Sequence, residues 1–345
     1  MKVSSVVLLA VGLSLVLLVT VALATPPGSG YHLVKSVPIG AAPGDAEYFD
    51  YVTVDPAGRR VYIAHGAEVK VLDADTFAVV GAITGLKKCH GVAVVPELNK
   101  GFITDGDAAK VVVFDIKTLK VTGEIKTYPD TDSLTYDPAS KLVFTFNGDS
   151  KNASVIDPVK ETMIKTIDMG GGPEQPVADG KGTIYDNNES TSEVVAIDTH
   201  ALTTKTRWSI KPAGQAVALA MDTEHHRLFS AGRNPTTLVM MDADNGKVLQ
   251  SFPITAGVDA NVYDPATGLV FSSTRTGVLH VFHEDSPDKL TPVEEIKTEY
   301  GAKTMGFDPK TQNLFLITAD FTPPSGAKGD RKTIKGTAHV LIYGR

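Results

Sequence analysis

The segment Asp50-Tyr51-Val52-Thr53-Val54-Asp55-Pro56-Ala57-Gly58 joins an alternating run to a turn, and three short runs follow it: Val61-Tyr62-Ile63-Ala64, Val69-Lys70-Val71-Leu72-Asp73 and Val79-Val80-Gly81-Ala82-Ile83. Period-two runs of β-branched residues broken by Asp-Pro and Gly read as four antiparallel strands. The unit recurs. Its turn returns at Val95-Pro96, Asp137-Pro138, Asp179-Gly180, Asp222-Thr223, Asp264-Pro265 and Asp308-Pro309, at spacings of 40, 42, 42, 43, 42 and 44 residues. The end of the third strand returns at Asp73, Asp115, Asp157, Asp198, Asp242, His283 and Tyr343. A period of about 40 to 45 residues with four strands is the signature of a propeller blade. The predicted fold is therefore all-β, a seven-bladed β-propeller of four-stranded antiparallel blades.

The chain ends support closure of a ring. The seventh copy stops after its third strand, His339-Val340-Leu341-Ile342-Tyr343, while His32-Leu33-Val34-Lys35-Ser36-Val37-Pro38-Ile39 resembles fourth-strand segments such as Met163-Ile164-Lys165-Thr166-Ile167. The N-terminal strand is predicted to complete the last blade and remove an exposed sheet edge. Residues 31–345 then form a single domain, and the 31 Gly and 20 Pro spread along the 345 residues become its turn chemistry.

Ahead of the repeats, Met1-Lys2 leads into an apolar run from Val6 to Ala24 that ends in Ala22-Leu23-Ala24, followed by Thr25-Pro26-Pro27-Gly28. This pattern reads as a secretory signal over 1–24 and a linker over 25–30, with an uncleaved anchor as the alternative. The expected location is periplasmic or secreted, with no membrane span after cleavage. A lone Cys89 permits no intrachain disulfide and no thiolate metal cluster. With 33 Lys+Arg against 40 Asp+Glu the formal net charge is −7, which argues against a nucleic-acid partner held by a basic face.

The second strand of each unit reads Tyr62-Ile63-Ala64-His65, Phe102-Ile103-Thr104-Asp105, Phe144-Thr145-Phe146-Asn147, Tyr185-Asp186-Asn187-Asn188, Phe229-Ser230-Ala231-Gly232, Phe271-Ser272-Ser273-Thr274 and Phe315-Leu316-Ile317-Thr318. After an Asp-Pro turn, an aromatic residue followed by two apolar residues and a polar one resembles the YVTN-type β-propeller repeat of secreted YncE-like proteins, within the wider WD40-like repeat superfamily. The resemblance spans nearly all of 31–345 and implies the fold. It implies little about activity.

Function is sought where the repeats differ at one equivalent position. Five residues before each turn anchor, at the start of the innermost strand, stand Asp50, His90, Asp132, Glu174, Val217, Asp259 and Lys303. Strand periodicity points this slot the same way in every blade, toward the central channel. Four carboxylates against one lysine leave three negative charges in excess around one axis. Raised carboxylate pKa values, solvent or a bound cation would relieve that crowding. Pairing the strands by copy is expected to set His65 beside Asp50, Asp105 beside His90, Asn147 beside Asp132, Asn188 beside Glu174, Thr274 beside Asp259 and Thr318 beside Lys303.

The expected function is a binding or interaction module that uses this polar, acidic funnel for a small ligand, a protein or a cell-surface partner. A divalent cation, calcium, magnesium or manganese, would find metal ligands in Asp50, His90, Asp132, Glu174 and Asp259. The alternative is a metal-assisted hydrolase or lyase, resembling lactonases or virginiamycin B lyase, with His90 or His65 as general base. Other features carry less. Gly170-Gly171-Gly172-Pro173 lacks the strand-to-helix setting of a phosphate loop, His225-His226 falls in a hairpin turn, and Trp208 lies in an outer strand. The long insert 321–337 of the seventh unit, with Lys328, Arg331, Lys332 and Lys335, is expected on the same face as the ring, as a lid, a docking loop or a solvated loop.

Overall fold

A computed structural model describes residues 28–44, 47–326 and 331–345; the segment read as a signal, 1–24, lies outside the described residues. Each blade is one four-stranded antiparallel sheet, and seven such sheets follow one another along the chain. Blade one consists of Phe49–Asp55, Arg60–His65, Glu68–Asp73 and Val79–Thr84. The next five sheets occupy 89–126, 131–168, 173–209, 216–253 and 258–297. Among the described residues no helix is long and apolar enough to cross a membrane.

The recurring Asp residues are turn chemistry, as the repeat predicts. Asp55 Oδ1 accepts the amides of Ala57 and Gly58 at 3.1 and 2.9 Å. Asp73 Oδ1 does the same for Asp75 and Thr76 at the end of the third strand, at 3.1 and 2.8 Å. An Asp side chain that bonds its own backbone two or three residues on stabilises the hairpin turn locally. Much of the acidic composition is consumed in this way.

Blade seven closes with the N-terminal strand, whose order in the sheet is His32–Pro38, His339–Gly344, Asn313–Thr318 and Met305–Asp308. The ring seals between blades seven and one through a shared core containing Val37, Phe315 and Val340 on one side and Val52, Val61 and Ile63 on the other. Burying each large aliphatic or aromatic side chain there contributes about 1.5–3 kcal/mol. At the rim of this seam Arg59 also grips the buried Asp308 with two hydrogen bonds of 2.9 and 2.6 Å.

One irregularity positions the functional face. In each of the first six blades the first strand carries a bulge near its start, between Phe49 and Val52, Cys89 and Val92, Thr131 and Leu134, Pro173 and Pro176, Ala216 and Ala218, and Val258 and Ala260. A bulge inserts an unpaired residue and re-aims its side chain. Asp50, His90, Asp132, Glu174, Val217 and Asp259 all fall inside it.

Candidate functional site

The bulged residues converge on a funnel at the axis. A cavity of about 210 Å³ is lined by Asp50, His90, Asp132, Glu174, Asp259 and Lys303 from the ring slots, joined by Tyr48, Tyr51, Asp130 and Arg233. Val217, the apolar occupant of the fifth slot, is buried away from it.

The centre of the funnel is a histidine between two carboxylates. His90 Nδ1 lies 2.8 Å from Asp50 Oδ2 and 2.8 Å from Asp132 Oδ1. The Tyr48 hydroxyl donates to Asp50 Oδ2 at 2.5 Å and stands 2.9 Å from the same imidazole nitrogen. Burial works against the imidazolium, but the hydrogen bonds to Asp132 and Asp50 outweigh it and bring its pKa up to about 10. Asp50 is held below the usual carboxylate range: burial pushes upward, and the His90 hydrogen bond prevails. In Asp132 burial prevails and the carboxyl is raised.

On the other side of the funnel Asp259 accepts from both Lys303 Nζ and Arg233 Nη2, while Arg233 Nη1 reaches Glu189 at 3.1 Å. Glu174 is pushed well above its ordinary pKa by burial first and by the Asp132 charge second. Asp130, at the rim, accepts the Asp149 amide at 3.1 Å. The expected excess of three negative charges is thus offset, because His90 and Arg233 join Lys303 as cations and burial favours the neutral form of Glu174.

Arg233 and Tyr48 escape a reading by ring slot alone. Arg233 ends the second strand of blade five, Arg227–Arg233, which runs one residue longer than the equivalent Arg60–His65. The signal was the apolar Val217: the one blade with no ionisable slot residue supplies its charge from the neighbouring strand end.

Five of the six expected strand-end pairings are off by one residue, and the bulge is the reason. His65 stands opposite Phe49, Asp105 opposite Cys89, Asn147 opposite Thr131, Asn188 opposite Pro173 and Thr274 opposite Val258. These side chains brace loops rather than line the funnel. His65, fully buried, bonds Glu47 at 2.6 Å. Asp105 accepts the amides of Lys87 and Lys88, Asn147 donates to Asn152 and Ser154, and Asn188 donates to the Met169 carbonyl. Thr318 donates to the Tyr300 carbonyl and pairs with His339.

The two candidate bases are both committed. The Nδ1 of His90 is held by both carboxylates, and its Nε2 is buried without a hydrogen-bond partner against Gly106, where an added Cβ would come within 2.7 Å. A general base needs a nitrogen within reach of substrate; Nδ1 of His90, at the funnel, is engaged by Asp50 and Asp132, and His65 is engaged by Glu47.

Beside the funnel a larger cavity of about 490 Å³ opens, sharing Tyr48 and Lys303 with it. The insert of blade seven forms one wall through Phe321, Arg331, Lys332, Thr333 and Lys335, and Arg275 adds a further cation. Glu47, the acid among the lining residues, is already taken up by His65 and by the Gly336 amide at 3.1 Å. Among the described residues the side chains of Arg275 and Lys332 make no hydrogen bond or ion pair, and Arg331 stacks over Tyr300 at 4.7 Å.

No family model and no curated protein matches the chain, and the YVTN-type resemblance therefore rests on the repeat itself. Solved structures match over nearly the whole length. A chain described as Kuenenia stuttgartiensis hydrazine synthase superposes with a TM-score of 0.70 at 14% identity, covering 85% of this chain and 97% of that one. A chain from the structure of U3-55K gives 0.72 at 7% identity, covering 90% and 98%. One from a mitotic checkpoint complex gives 0.71 at 12% identity, covering 99% of each. At such identities the likeness establishes the β-propeller fold and nothing further.

Proposed function

We propose that the protein is a secreted or periplasmic β-propeller binding module that holds a small anionic ligand on the funnel face. The observation that carries this reading is the 490 Å³ cavity with Arg275, Lys303, Arg331, Lys332 and Lys335 around it and its single acid already paired. Its volume suits a small molecule, and convergent Arg and Lys side chains recognise carboxylate or phosphate through charge-assisted hydrogen bonds. The location rests on the signal-like segment 1–24.

Isothermal titration with citrate and with pyrophosphate at low salt tests the reading. Binding is expected for at least one probe, weakened by about tenfold, or about 1.4 kcal/mol, in Arg275→Ala and again in Lys332→Ala. Absence of binding by both probes, or affinity indifferent to both substitutions, refutes it.

A second reading places a divalent cation at Asp50, His90 and Asp132, favoured by ligand atoms that all lie within 4.8 Å of one another. The ion would displace the proton now shared by His90, and a metal-assisted hydrolase or lyase would rest on that exchange. Calcium or manganese binding that disappears in Asp132→Asn supports this reading.

A further inference from the structure

The far end of the blades offers a site unrelated to the funnel, and the repeats act as its internal control. In three blades the residue three positions after the turn Asp is a hydroxyl that donates to it: Ser140 to Asp137 at 2.7 Å, Thr267 to Asp264 at 2.6 Å and Thr311 to Asp308 at 2.7 Å. Blade five replaces that hydroxyl with His225, whose Nδ1 lies 2.6 Å from Asp222 Oδ2.

A second slot also departs there. The residue just after the third strand's end anchor is Ala74, Ile116, Pro158, Thr199, Ala243 and Gly344 in six blades, and Glu284 in blade six. Glu284 of blade six faces Asp222 of blade five, so at this seam a carboxylate meets a carboxylate. Asp222 is 2% exposed, and both oxygens of Glu284 are sealed from solvent and outside hydrogen-bonding geometry with any donor. The Tyr263 hydroxyl, Asp222 and His225 are the polar groups that act on it. Two facing buried carboxylates demand a proton or a cation between them.

We propose that Asp222, His225 and Glu284 bind one divalent transition-metal ion, zinc in the first instance, at the seam between blades five and six. One ligand atom from each of the three lies within 4.8 Å of the others. One imidazole and two carboxylates suit zinc or manganese, whereas calcium asks for six to eight oxygens. His225, with its side chain 45% exposed, leaves the site open to solvent for entry and for a water ligand. The ion would staple two blades already tied by Arg227, which bonds Asp288 at 3.0 Å.

The test is equilibrium dialysis of the chelator-stripped full chain against zinc chloride at neutral pH, with thermal unfolding alongside. About one equivalent is expected to bind in the micromolar range or tighter, with a raised melting temperature. Affinity should fall at least tenfold in Glu284→Gln and in His225→Ala, and Asp132→Asn should retain it. His225 lies in an exposed turn, so its variant remains informative if Glu284→Gln fails to fold. No zinc uptake, uptake unchanged in both seam variants, or uptake lost only in Asp132→Asn overturns the proposal.

Discussion

The funnel and the seam between blades five and six each place a histidine against two carboxylates, yet they dispose of the charge in opposite ways. In the funnel, Nδ1 of His90 touches both Asp50 and Asp132, and Lys303 and Arg233 attend to Asp259. At the seam, His225 bonds Asp222, and Glu284 faces Asp222 with the Tyr263 hydroxyl beside it. The first cluster meets its charge within the protein; the proposed ion would complete the second. An acidic residue count does not distinguish them, because what matters is whether each buried charge meets an opposite one.

Substituting the funnel histidine should have the largest effect. His90→Leu leaves Asp50 and Asp132 facing one another with no proton between them, and equilibrium unfolding at neutral pH should show a loss of about 3–5 kcal/mol. The pH dependence sharpens the point. The folded pKa of His90 near 10 lies above its ordinary 6.5, so its contribution is complete below 6.5 and is lost as pH rises through 10. Stability of the parent protein should therefore decline between those values, and that of His90→Leu should not follow. The smallest effect belongs to the seam: with metal chelated, His225→Ala in its exposed turn should lie within about 0.5 kcal/mol of the parent by the same measurement. A loss as large as that of His90→Leu would mean that the two clusters are alike after all.

The fold was legible because one unit is written seven times, six of them with an Asp at the turn and all with alternating strands. The ring slot was legible for the same reason: Asp50, His90, Asp132, Glu174 and Asp259 share a position, and the bulge that aims them is itself repeated. Strand counting assumes unbroken pairing, however, and the bulge shifts register by one, so His65, Asp105, Asn147 and Asn188 stand opposite the residue before each ring slot rather than the slot itself. Arg233 was hidden because it comes from a different strand end, and it changes the electrostatics from an acidic ring to a nearly balanced one. Glu284 was visible in principle, since six equivalent residues carry no charge. Its significance depends on which turn of the preceding blade it meets, and that contact is tertiary. The basic cavity likewise arises from an insert folded back over the first blade, where Thr333 Oγ1 donates to the Glu47 carbonyl at 3.2 Å.

The most direct test of a self-neutralised funnel is the ionisation of His90 itself, followed by nitrogen NMR of the imidazole as pH is raised, with His90→Gln used for assignment. A ring that balances its own charge keeps His90 as an imidazolium at pH 8, with a transition near 10. A transition between 6 and 7, at the ordinary value for histidine, would show that Asp50 and Asp132 do not hold that proton and would leave the funnel acidic, as its sequence alone suggests.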